Sequence, residues 1–258
     1  MKLQGRVALI TGGGGGIGRS TALLFSKEGA AIALVGRNRD KIEAVRQEVE
    51  AAGGQAIAIR ADVSMPEDAR RMVATTIEAF GKVDILLAAA GVFTYGRVVE
   101  HDDEAWLNLL KVNLFGIYLS NKAVLPAMIQ NRWGRIINLS ATSAFTAAPG
   151  WSAQCAAKSG ILGLTRALAL EVADKGITVN ALAPAWVRTG GAEEAAEVES
   201  KAMGMTVEEY WQWTIKTSYP MGRITEPEEQ AHLILYLASE EAAGLTGQAI
   251  SLTAGSPW

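Results

Sequence analysis

Gln154 and Lys158 stand four residues apart in "WSAQCAAKSG", a spacing that puts both side chains on one face of a helix. A lysine held over a pocket lowers the pKa of a neighbouring acid or binds hydroxyl groups. A glutamine amide, by contrast, has no ionisable proton to release. The pair reads either as half of an active site or as the remains of one. Cys155 neighbours Gln154 but faces another side of the helix, and reads as core. His101 and His232 lie far apart without ligand-like companions, so no metal site is expected.

A second stretch, "TGGGGGIGRS", follows an apolar run and opens an amphipathic one. Glycine permits a tight turn there, and the missing Cβ lets backbone approach a pyrophosphate at a helix N-terminus. A merely flexible loop is the alternative. The G-x-x-x-x-G-K pattern of ATP- and GTP-binding loops is absent, which makes a dinucleotide the expected ligand.

Something must position these residues. The runs "RVALIT", "AIALVG", "AIAIRA", "VDILLAAA", "GRIINLS" and "ITVNALA" are continuously apolar, as strands of a parallel sheet covered on both faces are. Between them lie helical stretches such as "RDKIEAVRQEVEAAGG" and "SMPEDARRMVATTIEAFG", the latter with Ser64 as its expected cap and Pro66 in its first turn. The repetition predicts an α/β fold: a doubly wound, mostly parallel sheet with helices on both faces, in one domain over residues 1–258. Residues 190–221 break the alternation with acidic residues, methionines and two tryptophans, and read as a helical insertion forming a substrate lid. The chain closes with a helix near "PEEQAHLILYLASEE" and a strand near "GQAISLTAG".

Composition narrows the partners. The 258 residues are 49% apolar, enough for one large core, and the net charge of -3 is spread along the chain. No basic run points to nucleic acid or an anionic membrane surface. No apolar run approaches the ~18 residues of a membrane span. One cysteine excludes an internal disulfide framework, and the N-terminus lacks the features of a signal peptide. A cytoplasmic protein acting on a small molecule is expected.

Thr11, Gly12, Gly16 and Gly18 match the T-G-x-x-x-G-x-G pattern of the short-chain dehydrogenase/reductase family, which the chain resembles over nearly its whole length. Asp62 and Val63 after the third strand, Gly91 after the fourth, and Asn113 in "KVNLFG" extend the match, as do Lys158 and then Pro184, Val187 and Thr189 after the sixth strand. The resemblance implies a Rossmann-type fold in which Gly12, Gly16, Ile17 and Gly18 cradle a nicotinamide dinucleotide. It places Asp62 at the adenine edge, counts Val63 and Gly91 among the cofactor-binding residues, and places Lys158 on the ribose and Val187 and Thr189 at the nicotinamide amide. NAD-binding members carry an acidic residue at the end of the second strand, where this chain has Gly36 and Arg37. Glycine leaves room and a guanidinium pairs with a 2′-phosphate, so NADP(H) is expected over NAD(H). An arginine simply facing solvent is the alternative.

Family members use an Asn, Ser, Tyr and Lys set. Asn113 and Lys158 match it, but Gln154 falls at the tyrosine position and Ala141 at the serine position. A positioned general acid supplies about 10²- to 10⁴-fold in rate, so ordinary ketone reduction would suffer from this loss. Dienoyl-CoA reductase-type members keep the asparagine and lysine, lack the usual tyrosine, and reduce a conjugated C=C bond. That variation gives Lys158 a role in holding a substrate oxygen; gripping only the cofactor ribose is the alternative. Tyr95 and Ser143 are candidate replacement hydroxyls, Tyr95 being otherwise a wall residue. Trp151, Trp186, Trp211 and Trp213 fall in segments that surround the family's substrate pocket and predict broad aromatic walls. The expected function is an atypical NADP(H)-dependent oxidoreductase acting on an apolar, aromatic or conjugated carbonyl or enoyl substrate. A catalytically silent nucleotide-binding protein and a non-redox lyase or isomerase are the alternatives. The resemblance also implies a homotetramer built on helices near 106–130 and 152–175, with Ala153, Ala156, Ala157 and Gly160 allowing close packing.

Overall fold

The apolar runs become strands because both of their faces are covered. In the computed structural model, which describes residues 1–256, β1 (Val7–Thr11), β4 (Ile85–Ala88) and β6 (Ile177–Leu182) are buried at every position. With β2 (Ala31–Gly36), β3 (Ala56–Arg60), β5 (Gly134–Leu139) and β7 (Ala249–Ile250) they form a seven-stranded sheet in the order β3-β2-β1-β4-β5-β6-β7. Every neighbouring pair is parallel. The chain reaches one edge at β3 and returns to the middle at β4, beside β1. The connections leaving β1 and β4 therefore diverge and open a crevice at the carboxyl ends of the strands.

Side chains alternate across the sheet. Ala8 and Ile10 of β1 join a core with α1 (Gly16–Lys27), α2 (Arg39–Ala51) and α9 (Pro227–Ala238). Leu9 points the other way, into a core with α3 (Pro66–Phe80), α5 (Gly116–Asn131) and α6 (Ser152–Val172). One helix runs without a break from Asp103 to Asn131, with α4 (Asp103–Leu110) joined to α5 by a π turn over Lys111–Phe115. By length and composition it could cross a membrane, which the short apolar runs did not foretell, yet it packs on the sheet through Ile117, Val124 and Met128. The segment that breaks the alternation folds as α7 (Gly190–Met203) and α8 (Val207–Ser218).

Four local expectations are corrected. Ser64 does not cap α3: its N–H and hydroxyl both donate to Asp62, and Met65 is the residue before Pro66. The last strand is only Ala249–Ile250, because the chain turns away through Thr253–Gly255, where Ala254 adopts a φ of 51°. Cys155 is half-buried rather than core, with its thiol directed at the Thr146 carbonyl. Ala153 and Ala157 are spent within the chain, packed against Leu109 of α4, and a side chain at Gly160 would meet Leu114.

Candidate active site

The crevice begins with Thr11 at the end of β1. Its hydroxyl accepts from the N–H groups of Ala89 and Ala90 at 3.1 and 3.2 Å, tying the turn after β1 to the turn after β4. Gly12 follows with a φ of +71°, and a Cβ there would stand 2.8 Å from the Ala89 carbonyl oxygen. Only glycine fits both conditions. At Gly16 a Cβ would stand 2.9 Å from Thr189, which caps α7 through its hydroxyl. The first turn of α1 has no acidic residue and no side-chain cap, so its N–H groups are open to an anion. A cavity of about 270 Å³ lies there, lined by Gly16, Ile17, Gly18, Ala89, Leu139 and Thr189.

A second cavity of about 270 Å³ lies over the ends of β1, β2 and β3 and is lined by Gly12, Arg37, Lys41, Asp62, Val63 and Gly91. Arg60, in register with Gly36, reaches the Arg37 carbonyl at 3.3 Å. The facing acid, Asp62, already accepts from Ser64 with one carboxylate oxygen. The neighbouring Asp68 is held below the usual carboxylate range by the Asp62 N–H and then by Arg71. Cationic groups therefore dominate this end. Lys41 and Arg60 were not picked out from the sequence; the signal was their place just beyond β2 and at the end of β3.

The largest site-facing cavity, about 360 Å³, is walled by Ala141, Ser143, Trp151, Gln154, Lys158 and Trp186, with Phe93, Thr214 and Tyr219. Asn113 sits on the π turn, which aims its amide at the loop after β4: it donates to the Val92 carbonyl at 2.9 Å and accepts from the Val92 N–H at 2.8 Å. Gln154 leans on the same pair through long contacts of 3.4 Å to Asn113 and to the Val92 carbonyl. The Lys158 ammonium donates to the Leu139 carbonyl at 2.8 Å, and burial pulls its pKa down to about 8. Ser140, next to Ala141, donates to the Lys158 carbonyl and so fixes the helix rather than facing a ligand.

Of the other expected wall residues, Trp186 stands at the centre. It lies edge-on to Trp151 at 6.2 Å and to Trp211 at 5.6 Å, with Phe93 at 6.5 Å. Trp211 is a layer behind the cavity surface, and Trp213 is turned outward. Tyr95 packs over Gly150 and is not among the cavity-lining residues. Val187 is buried, bridged to Thr225, and lines none of the three cavities. Tyr219 is the phenol that the sequence left unmarked. Its oxygen accepts from the Trp186 N–H at 2.7 Å, and burial pushes its pKa up to about 12. The segment that carries it crosses the cavity only after α8, which no local pattern announces.

A glycine turn into an uncapped helix at the switch between β1 and β4, backed by an apolar cavity with a half-buried lysine, is an arrangement suited to a dinucleotide-dependent enzyme. The chain is 32% identical over 255 residues to a 3-oxoacyl-[acyl-carrier-protein] reductase of Thermotoga maritima, covering 99% of each. It is 34% identical to the (2S)-[(R)-hydroxy(phenyl)methyl]succinyl-CoA dehydrogenase subunit BbsD of Thauera aromatica, covering 99% of this chain and 98% of that one. Among solved structures it superposes on levodione reductase with a TM-score of 0.93 at 28% identity, covering 98% of both. It superposes on an actinorhodin polyketide ketoreductase solved with NADPH with a TM-score of 0.94 at 34% identity, covering 97% of this chain and 96% of that one. The short chain dehydrogenase model matches residues 6–200, the stretch from β1 into α7 that holds the glycine turn, Asn113 and Lys158, and the chain belongs to that family of oxidoreductases.

Proposed function

We propose that the protein is an NADP(H)-dependent oxidoreductase with a non-standard active site, acting on an apolar, aromatic or conjugated carbonyl or enoyl compound. The observation that carries the reading is the junction at Lys158. Its side chain lines the aromatic cavity, while its ammonium is bonded to Leu139, which lines the glycine cradle. When bound, the nicotinamide nucleotide supplies or accepts the hydride. The residues lining the cradle suit it: Gly12, Gly16, Ile17 and Gly18 would take the diphosphate, Asp62 the adenine edge beside Val63 and Gly91, and Lys158 and Thr189 the nicotinamide end, while Val187 is buried away from it. Arg37 and Lys41, with no carboxylate at the end of β2, suit a 2′-phosphate and favour NADP(H).

Gln154 and Ala141 occupy the places of the family's acid and hydroxyl. Gln154 orients a substrate oxygen by donating its amide N–H but delivers no proton. Lys158 still carries one: with a pKa of about 8 it is mostly protonated at neutral pH and is acidic enough to donate to a developing oxyanion. Phe93, Trp151 and Trp186 exclude water and favour a flat substrate. α7 and α8 act as a lid over it, within one domain of 258 residues. The protein works in the cytoplasm as a homotetramer, without a nucleic-acid or membrane partner.

The deciding experiment titrates purified protein with NADPH and NADH by nucleotide fluorescence, then assays NADPH oxidation against conjugated and aromatic carbonyls. Saturable binding with NADPH preferred, weakened at least about tenfold by Arg37→Ala, is expected. Binding without turnover of any carbonyl or enone would favour a silent nucleotide-binding protein. Failure to bind either nucleotide would leave a lyase or isomerase on this fold.

A further inference from the structure

A closed circuit of side chains runs from Trp151 and Trp186 on the wall of the aromatic cavity into the layer behind it. Trp151 is edge-on to Trp186 at 6.2 Å, Trp186 to Trp211 at 5.6 Å, and Trp211 to Tyr210 at 5.5 Å. Glu199 joins the two ends. One carboxylate oxygen accepts from the Trp151 indole N–H at 3.0 Å and the other from the Tyr210 hydroxyl at 2.8 Å. Three elements meet in those two bonds: Glu199 on α7, Tyr210 on α8, and Trp151 immediately before α6. Trp151 lies three residues from Gln154 and lines the cavity with it.

Glu199 is 6% exposed, and no lysine or arginine pairs with it among the described residues. Burying a carboxylate without a cation is costly, and here burial pushes its pKa up while the Tyr210 and Trp151 hydrogen bonds pull it back. A leucine would fill the space without that cost, but it would leave the indole N–H and the phenol unpartnered. Indole nitrogen only donates, so an acceptor at Glu199 is what fixes the plane of the ring.

We propose that Glu199 is a positioning residue for substrate selection: it holds Trp151 as a fixed wall of the cavity and fastens α7 and α8 to the start of α6, touching neither substrate nor cofactor. The selection part rests on the proposed oxidoreductase reading; the fixing of the indole does not.

The full-length protein labelled with 5-fluorotryptophan tests it, with the Trp151 signal assigned through Trp151→Phe. The flat aryl ketone 2-acetylnaphthalene is the probe, and NADPH is titrated in parallel. Glu199→Ala is expected to shift and broaden the Trp151 and Trp186 signals and to weaken probe binding about tenfold, with NADPH affinity changed less than about twofold. Glu199→Gln still offers an amide oxygen to Trp151 and an N–H to the Tyr210 oxygen, and is expected to recover probe affinity to within about threefold of the parent. Parent-like signals and affinity in Glu199→Ala would overturn the proposal. So would an equal loss of NADPH and probe, which would mean that Glu199 only supports the fold. If Glu199→Ala does not fold, Trp151→Phe decides, since it keeps a ring and removes the N–H: weaker probe binding is expected, and parent-like binding overturns the role. If the parent itself ignores the probe while the Trp151 signal still moves in Glu199→Ala, the substrate reading fails and the fixing of the indole stands.

Discussion

At the scale of single residues, the proposed reading turns on where the protons of the site are. Gln154 has no ionisable proton to give and Ala141 has no hydroxyl, while desolvation holds the half-buried Lys158 ammonium down at a pKa of about 8. Two predictions follow from that chemistry. The double substitution Ala141→Ser with Gln154→Tyr should confer reduction of simple ketones that the parent turns over at least about 100-fold more slowly, the worth of a positioned acid. NADPH oxidation with a saturated ketone measures it, and no gain would mean that the pocket, not the missing groups, limits the reaction. The second concerns stability. Lys158 has a folded pKa near 8 and an unfolded value of 10.5, so between those values the unfolded chain holds more protons and stability rises with pH. Below pH 8 the full cost of burying the ammonium is present. Relative to Lys158→Met, which carries no charge, the parent should gain about 2 kcal/mol between pH 7 and 10 in denaturant unfolding. A flat difference would show that the lysine is well solvated in the folded protein.

At the scale of elements, the turn after β1 and the helix α8 rest on different physics. The turn after β1 tolerates no Cβ at Gly12, where the backbone is left-handed and the Ala89 carbonyl is 2.8 Å away. Gly12→Ala is expected to abolish detectable NADPH binding and to lower stability by about 1–3 kcal/mol. Retention of parent-like affinity would show that the turn can reshape. α8 instead depends on its start, where the Thr206 hydroxyl accepts from the Glu209 N–H and the Glu209 carboxylate accepts from the Thr206 N–H. Removing that reciprocal cap with Thr206→Ala should weaken α8 by about 1 kcal/mol and raise amide exchange there before anywhere in the sheet. Uniform exchange across the sheet and α8 would mean that α8 opens only with the whole domain.

For the whole molecule, five of the exposed large apolar side chains lie on the helices that the family resemblance assigns to assembly. Leu107, Phe115, Tyr118 and Ile129 on the long helix are 50, 43, 39 and 39% exposed, and Leu170 on α6 is 84% exposed. Phe115 and Tyr118 stack at 5.8 Å, giving a flat surface. Light scattering should give a mass near four times 27.3 kDa, and Phe115→Asp with Leu170→Asp should reduce it. A monomeric parent would contradict that assembly. Of the small residues expected to pack on α6, Ala153 and Ala157 pack against α4 within one chain, while Ala156 is exposed.

The sequence by itself determined the sheet and the glycine turn, because each is a local pattern; the reading of Gln154 and Ala141 as altered positions rests on the family resemblance. Continuous apolar runs mark buried parallel strands, glycines beside a strand end mark a close backbone approach, and a four-residue spacing fixes one helix face. Arg37 was legible for the same reason, standing one residue beyond β2. Tertiary structure alone decided what closes the cavity. Tyr219, Phe93 and the Glu199 bonds join segments remote in sequence, and Glu199 lies 48 residues from Trp151. It also decided the partners of Gln154, turned Tyr95 onto Gly150, and sent Ser64 to Asp62 instead of the helix start. Residue type and spacing specify which face of an element a side chain occupies; which neighbour meets that face depends on how the elements pack, and that information is shared across the whole chain.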